Sequence, residues 1–299
     1  MTETYDSATD RAPAEDEASL REALTDEPAP LRRDAALALA STAARGLDTA
    51  TATALAERVR TDDDPDVRQF AVEALGVADR RPDAVRDALA DDHEWVRSEA
   101  VVAYSRIAPA DTDPLERVLD EDDSGWVRRN AVVALGKRQA LEQDALVDRI
   151  KTDPHPPVRE YAAQFLADAV SDVDVAERIL AAVLAREPNA FVRAKAAESL
   201  GQLGTARAQE ALESHGVPDR SDDVARTAER ALADARGVDP DDLDVDADVP
   251  DPDAPGTGPD APQGRGLGGG PDGTRRQRPG GAPGFDPEEH LDGGLDDRP

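Results

Sequence analysis

"HEWVRSEAVVAYS" (93–105) and "SGWVRRNAVVALG" (124–136) share most of their residues and begin 31 positions apart. In both stretches a Val-Arg pair is followed by alanine four residues after the valine and by a large residue eight residues after it. The chain carries seven such copies, and we number each from its valine (leucine in the first copy) as position 0. These positions are Leu31, Val67, Val96, Val127, Val158, Val192 and Val224. A repeat every 29 to 36 residues predicts a stacked architecture.

Each copy has the spacing of an amphipathic helix, because positions 0, 4, 7 and 8 fall on one face at 3.6 residues per turn. Pairs such as Asp64-Pro65 place a side-chain acceptor before a residue without an N–H, which is typical of a helix start. Glycine at position 9 predicts a helix end in three copies, at Gly76, Gly136 and Gly201. A shorter amphipathic stretch precedes each of the later copies. Since one helix pair cannot bury its own apolar face, the pairs are expected to stack as a solenoid.

The pattern in "DPDVRQFAVEALG" (64–76) resembles the HEAT repeat, in particular the short HEAT-like class first named for phycobilisome bilin lyases. The resemblance covers about residues 18–236. It implies an all-α fold, an α-solenoid of about seven antiparallel helix pairs, which serves mostly as an interaction surface. The flanking segments 1–17 and 237–299 are predicted to be disordered, because the second is acidic, rich in Gly and Pro and poor in apolar side chains.

The charge of the chain is strongly negative, with 65 acidic and 35 basic residues and a net charge of −30. Only three of the basic residues are lysine. This composition resembles that of proteins from halophilic archaea, because molar salt shortens the Debye length to about 3 Å and screens the self-repulsion. A nucleic-acid partner is not expected, since the sequence has no basic stripe. No apolar leader or long apolar run is present, so we expect a cytoplasmic protein without a membrane contact.

Arginine follows position 0 in six copies, at Arg32, Arg68, Arg97, Arg128, Arg159 and Arg193. A row of arginines could bind anions. The HEAT resemblance instead implies a structural ladder, in which each arginine lies at a turn and pairs with an acidic residue of its own or the next repeat. The acidic residues expected in this role are Asp64, Asp66, Asp92, Glu94 and Asp123.

Two groups of residues are candidates for contact with a partner protein. Trp95 and Trp126, the only tryptophans, precede position 0 in adjacent repeats, and Phe191 does so two repeats later. They either cover the turns between helices or anchor an interface. The second group occupies positions 2, 3 and 6, which the resemblance places on the concave face. Its members are Phe70, Val102, Arg129, Asn130, Val133 and Tyr161.

Catalytic, cofactor and metal sites are not expected. His93-Glu94 could belong to a metal site, since deoxyhypusine hydroxylase builds a di-iron centre from several His-Glu pairs on HEAT-like repeats. Here only one such pair exists, whereas a metal needs three or four converging ligands. The basic cluster "RRQR" (275–278) is either a short docking motif or a local relief of negative charge.

The sequence thus predicts a monomeric, non-catalytic scaffold or adaptor that binds another protein on its concave face. A bilin or tetrapyrrole lyase or isomerase and a signalling or motility adaptor are the alternatives. The identity of the partner does not follow from the residues.

Overall fold

A computed structural model describes residues 16–239, and this part of the chain is all-α, with fourteen α-helices in seven antiparallel pairs. The first helices of the pairs are α1 (Glu17–Ala23), α3 (Thr49–Thr61), α5 (Pro82–Ala88), α7 (Asp113–Glu121), α9 (Gln143–Thr152), α11 (Val173–Arg186) and α13 (Ala206–Ala211). The second helices are α2 (Ala29–Thr42), α4 (Pro65–Val77), α6 (Glu94–Ile107), α8 (Gly125–Gly136), α10 (Pro156–Leu166), α12 (Ala190–Leu203) and α14 (Asp222–Arg236). The predicted α-solenoid of seven pairs is confirmed.

The predicted terminal segments fall mostly outside the described residues. This holds for 1–15 and for 240–299, and for the RRQR segment within the latter. At the N-terminal boundary, Glu17 begins α1 and so belongs to the helical part of the chain.

The local sequence explains where the helices begin. The side chain of Asp64 accepts the backbone N–H of Asp66 at 2.9 Å, and Pro65 occupies the first turn of α4. Asn189 caps α12 in the same way, through the N–H groups of Phe191 and Val192. These caps satisfy backbone donors that have no partner within the helix.

The second helices form a continuous row, each packed closely on the one before and the one after, whereas the first helices touch one another sparsely. The closer row is the inner row of the stack. The valine at position 0 is completely buried in the second to seventh repeats. Leu31, in the first repeat, is 49% exposed, since no described repeat precedes it.

Positions 2, 6 and 9 of one second helix meet positions 3 and 7 of the next. Ser98, at position 2 of α6, accepts a hydrogen bond from the side chain of Asn130, at position 3 of α8. The hydroxyl of Ser199, at position 7 of α12, lies within hydrogen-bond distance of the carbonyl oxygens of Ala163 (2.8 Å) and of Gln164 (3.3 Å), the second of which is at position 6 of α10. The joint between consecutive second helices therefore uses positions that the sequence analysis placed on the free concave face.

Two of the three glycines at position 9 have a different role from the one predicted, whereas Gly136 is the last residue of α8 as expected. Gly76 and Gly201 lie inside α4 and α12, not beyond their ends. A Cβ added to Gly76 would lie 2.5 Å from the Cβ of Ala103 in α6, so glycine is needed for the close approach of the two helices. The residue that ends α12 is Gly204, which has a φ of 65°. The prediction that Gly76 and Gly201 are helix stops is wrong.

Candidate interaction surface

Arg128 joins two repeats through a bidentate ion pair. Its Nε and Nη2 donate to the two carboxylate oxygens of Asp153, both at 2.8 Å. Its Nη1 donates to the backbone carbonyl oxygens of Asp122 (2.8 Å) and Asp123 (3.2 Å), in the turn before α8. Arg128 and Asp153 are both buried. One guanidinium thus fixes the turn of its own repeat and the turn of the next.

The same geometry recurs in six repeats, and we call these arginines the ladder. The arginine at position 1 pairs with a carboxylate at position −5 of the next repeat. The pairs are Arg32–Asp62, Arg68–Asp91, Arg97–Asp122, Arg128–Asp153, Arg159–Glu187 and Arg193–Asp219. Each carboxylate also accepts the backbone N–H two residues further along the chain. In the seventh repeat the arginine position is occupied by Ala225. Within residues 16–239 no further repeat follows it, so there is no next turn with which an arginine could pair.

The ladder partners differ in part from those expected. Asp92 and Asp123 do contact ladder arginines, but as a second, exposed carboxylate. The expectation is wrong for the other three residues, which bind elsewhere. Asp64 caps α4, Asp66 lies 3.8 Å from an arginine at position 2, and Glu94 accepts a hydrogen bond from the hydroxyl of the next turn. The missed signal is the acidic residue at position −5 of every copy from the second to the seventh.

Ionisation of the ladder follows from its hydrogen bonds. Burial alone would raise the pKa of Asp153, but the hydrogen bonds from Arg128 and from the backbone N–H of His155 hold it below its ordinary value. The hydrogen bond with Asp153 raises the pKa of Arg128 in turn, and burial opposes that shift. The guanidinium groups of these arginines are thus engaged by hydrogen bonds and ion pairs within the stack.

Four of the residues predicted to line a free concave face are buried. They are Val102, Asn130, Val133 and Tyr161. Their placement on an open surface is wrong, because positions 3 and 6 lie in the joint between consecutive second helices. A partner does not reach the side chains of Val102 and Val133, each only 2% exposed.

Arg129 and Tyr161 form one such joint. The Nη2 of Arg129 donates to the hydroxyl of Tyr161 at 2.6 Å, and the guanidinium carbon lies 4.5 Å from the centre of its ring. Tyr161 also stacks on Phe165 at 6.5 Å between ring centres. Phe70, the remaining member of the predicted group, is half-buried on α4. Of the predicted group, Arg129 and Phe70 are therefore the two residues whose side chains remain partly accessible to a partner.

Large apolar side chains are exposed not on the inner row but at position −1, in the third, fourth and sixth repeats. Trp95 and Trp126 are each 47% exposed, and Phe191 is 72% exposed. We call these three residues the aromatic edge. They lie at the N-terminal ends of α6, α8 and α12, where the chain turns from the first to the second helix of a pair. The same position holds Asp66 and Pro157 in other repeats, so the fold does not require an aromatic residue there.

Trp126 is held from one side by the next repeat. Its ring meets that of His155 edge to face, with 4.7 Å between the ring centres. The His155 ring also covers Gly125, where an added Cβ would collide with it. Burial lowers the pKa of His155, which favours the neutral imidazole as a packing partner. The tryptophan is thus fixed in orientation while nearly half of its surface stays open.

The sequence model of HEAT repeats matches residues 52–136 and 143–233. The chain belongs to the HEAT repeat family. These residues run from α3 to α14 and include both tryptophans and five of the six ladder arginines. No curated protein matches the chain at a significant level.

Solved structures are similar in fold at low sequence identity. YibA of E. coli is 19% identical, with a TM-score of 0.54 over 72% of this chain and 80% of that one. The CpcE–CpcF phycocyanin lyase complex from Nostoc is 18% identical, with a TM-score of 0.43 over 78% and 100% of the two chains. Human deoxyhypusine hydroxylase is 23% identical, with a TM-score of 0.36 over 74% and 84%. At these identities the likeness is one of fold alone.

Exposed carboxylates accompany the aromatic edge in the middle HEAT repeats. Asp63, Asp92 and Asp123, at position −4 of the second, third and fourth repeats, have side chains 91%, 90% and 92% exposed. We call these three residues the acidic row. The next two repeats carry proline at the same position, Pro154 and Pro188. Two of these carboxylates, those of Asp92 and Asp123, thus lie in the two repeats that carry the tryptophans.

The single His-Glu pair of the sequence lies beside this surface. His93 and Glu94 border a cleft of about 400 Å³ between the turns of the third and fourth repeats, together with Asp123 and Ser124. Within residues 16–239, no group of three or more His, Asp or Glu side chains is placed to hold a metal ion. Among the same residues, no helix combines the length and the apolar character that a membrane crossing would require.

Proposed function

We propose that this HEAT repeat protein is a non-catalytic scaffold or adaptor that binds another protein through the aromatic edge. The observation that carries the proposal is the exposure of Trp95, Trp126 and Phe191 at one register position of the stack. Exposed aromatic side chains are the usual anchors of protein interfaces, since they bury a large area with few rotatable bonds.

The rigidity of the stack supports the same role. Ladder arginines tie each turn to the next, and the tryptophans stand two residues before these arginines. Because the turns are fixed, a partner meets a surface that needs little ordering on binding. We therefore propose that the contact forms at the edge made by the turns, because the closed inner row offers less accessible apolar surface.

The edge is tested by capture of partners from lysate in molar KCl with tagged full-length protein. Wild type is compared with Trp95→Ala/Trp126→Ala and with the control Leu37→Ala/Val173→Ala, which removes two exposed apolar side chains elsewhere. Circular dichroism verifies that all three proteins keep their helix content. We expect the control to retain a partner that wild type captures and the tryptophan variant to lose it by tenfold or more.

Two results would count against the proposal. One is equal capture by the folded tryptophan variant, which would make the tryptophans a cover for the turns. The other is the absence of any reproducible partner of wild type under these conditions.

Where wild type captures a partner, hydrogen exchange of the complex locates the contact, and we expect protection at the starts of α6 and α8.

A further inference from the structure

We propose that the aromatic edge binds a proline-rich segment of a partner protein in the polyproline II conformation, with an arginine of that segment at the acidic row. This occupant rests on the aromatic edge being a binding surface, as in the proposed function, and specifies the chemical class of the partner. The spacing of the edge residues, their indole N–H donors and the carboxylates of the same turns all favour such a segment.

Position −1 is apolar in four consecutive repeats, the third to the sixth. It is occupied there by Trp95, Trp126, Pro157 and Phe191, whereas the second repeat has Asp66 at this position. Because the second helices pack directly on one another, equivalent positions of adjacent repeats recur at about 8–10 Å. The turns therefore carry an apolar residue at each of four regular steps, and the first two of these residues are tryptophans.

A polyproline II helix has a period that matches these steps. It has three residues per turn and rises about 3.1 Å per residue, so its equivalent side chains recur every 9.3 Å or so. Side chains on one face of a β-strand recur at about 6.6 or 13 Å, and neither distance matches. Prolines at positions i and i+3 of a polyproline II segment can therefore lie on Trp95 and Trp126 at the same time.

The indole N–H groups distinguish a polyproline II segment from an α-helix, whose face also repeats at about 10.5 Å, every seven residues. In the part of the chain that the structure describes, the side chains of Trp95 and Trp126 make no hydrogen bond, so each indole N–H has a donor to offer. The backbone carbonyls of an α-helix are used within the helix, whereas those of a polyproline II segment have no internal partner. An extended proline-rich segment thus supplies acceptors that a helical partner lacks.

The carboxylates of the same turns favour an arginine in the segment. An aspartate stands three residues before each tryptophan, at Asp92 and Asp123, and the two side chains are 90% and 92% exposed. Each accepts one hydrogen bond from a ladder arginine, at 2.6 and 2.7 Å, although an ionised carboxylate has about four lone-pair sites. An arginine of the partner can thus donate to such a carboxylate and stack on an indole ring. Pro154 and Pro188 replace the aspartate in the next two repeats, so the arginine belongs at the end of the segment nearest the tryptophans.

Fluorescence anisotropy of dye-labelled peptides, titrated with full-length protein in molar KCl, tests this occupant. The probe is a synthetic peptide of two arginines followed by four Pro-Ala-Pro triplets, which extend over about 37 Å. One control peptide replaces every proline by alanine and so favours an α-helix, and the other replaces both arginines by glutamate. We expect saturable binding of the probe and an affinity about fivefold lower for each control. Equal affinity of the alanine peptide, or no saturable binding of the probe, would overturn the inference.

Variants of the protein locate the contact. Trp95→Ala and Trp126→Ala are each expected to weaken binding of the probe about tenfold, because each removes one aromatic anchor. Leu37→Ala/Val173→Ala should bind like wild type, and circular dichroism verifies the helix content of every variant. Trp95→Phe/Trp126→Phe keeps aromatic surface without the N–H donors and is expected to lose part of the affinity. Unchanged binding by the folded alanine variants would overturn the proposed site.

Single carboxylate variants test the position of the arginine. Asp92→Asn and Asp123→Asn are each expected to weaken binding of the probe about threefold, because a charge-assisted hydrogen bond is lost. The matched control is Asp63→Asn, at position −4 of the second repeat, where Asp66 stands in place of a tryptophan. It is expected to bind the probe like wild type. An equal loss in all three variants would mean a general effect of charge and would overturn the placement of the arginine at the edge.

Partner capture distinguishes the two proposals. An excess of the unlabelled probe is expected to displace the partner that wild type captures from lysate. If capture depends on Trp95 and Trp126 but the probe neither binds nor displaces the partner, the inference fails and the proposed function stands. If the probe binds at the tryptophans but no captured partner depends on them, the edge accepts this class of ligand and the proposed function fails.

Discussion

Glu99 and Asp153 are two buried carboxyl groups whose pKa values are shifted in opposite directions. Asp153 is buried against Arg128 and stays ionised through its hydrogen bonds. Glu99, at position 3 of α6, lies in the joint with α4 and is also buried. Burial raises the pKa of Glu99 to about 8, the nearby Glu73 adds to the shift, and Arg106 opposes it. At neutral pH Glu99 therefore holds a proton that the same residue would release in the unfolded chain.

The pH dependence of stability should report this proton. The folded pKa of Glu99 lies above its ordinary value of 4.5, so the folded state binds the proton more tightly. The free energy of unfolding is then expected to fall as the pH rises from about 4.5 to about 8. Glu99→Gln should remove this slope. The free energy of unfolding of the variant, relative to that of wild type, should therefore increase by roughly 4 kcal/mol from pH 5 to pH 9.

Urea unfolding at pH 5, 7 and 9 in molar KCl measures the effect. The control is Glu116→Gln on the exposed side of α7, which is expected to follow wild type at each pH. Parallel pH profiles for wild type and Glu99→Gln would show that the buried carboxyl does not retain its proton.

At the scale of elements, the second helices are spaced by small side chains. Gly76 meets Ala103 and Gly201 meets Ala231, in each case position 9 of one helix against position 7 of the next. Alanine at position 4 is buried in the same helices, among them Ala71, Ala100 and Ala131. The row of second helices can therefore pack closely on both sides, which closes the inner face that a looser stack would leave open.

Gly76→Ala tests this close approach. In an exposed helix the change would stabilise the protein by about 1 kcal/mol, because alanine has the higher helix propensity. Here the new Cβ would lie 2.5 Å from the Cβ of Ala103, so we expect a net loss of about 1–3 kcal/mol. Urea unfolding measures it, with Gly76→Ala/Ala103→Gly as a variant that relieves part of the collision. A stabilised Gly76→Ala protein would contradict the packing argument.

At the scale of the whole molecule, the net charge of −30 has to be reconciled with a compact stack. The ladder pairs each carboxylate at position −5 with an arginine, but the exposed carboxylates, such as those of the acidic row, repel one another. Salt screens exposed charges far more than buried pairs. We propose that the protein is adapted to a salt-rich environment, in which surface repulsion is suppressed while the ladder persists.

Helix content as a function of salt tests that proposal. We expect the far-ultraviolet circular dichroism of wild type to lose helical signal in dilute buffer and to regain it in molar KCl, because repulsion among surface carboxylates is screened. Molar sorbitol, a neutral co-solute, serves as the control and should restore less. Full helix content in dilute buffer would show that the acidic composition does not depend on salt.

The sequence by itself determined the repeat number, the helical register and the position of every ladder arginine, because these depend on periodicity and on caps within a few residues of each helix. It also singled out the tryptophans, which the repeat pattern does not need. It did not locate the principal acidic partners, although position −5 carries one in every copy from the second to the seventh. Only the tertiary structure decided that Val102, Asn130, Val133 and Tyr161 are buried and that the aromatic edge is open. Burial at positions 2, 3 and 6 depends on how closely the neighbouring repeat approaches, and that distance is set by glycine–alanine contacts between helices about 30 residues apart in sequence.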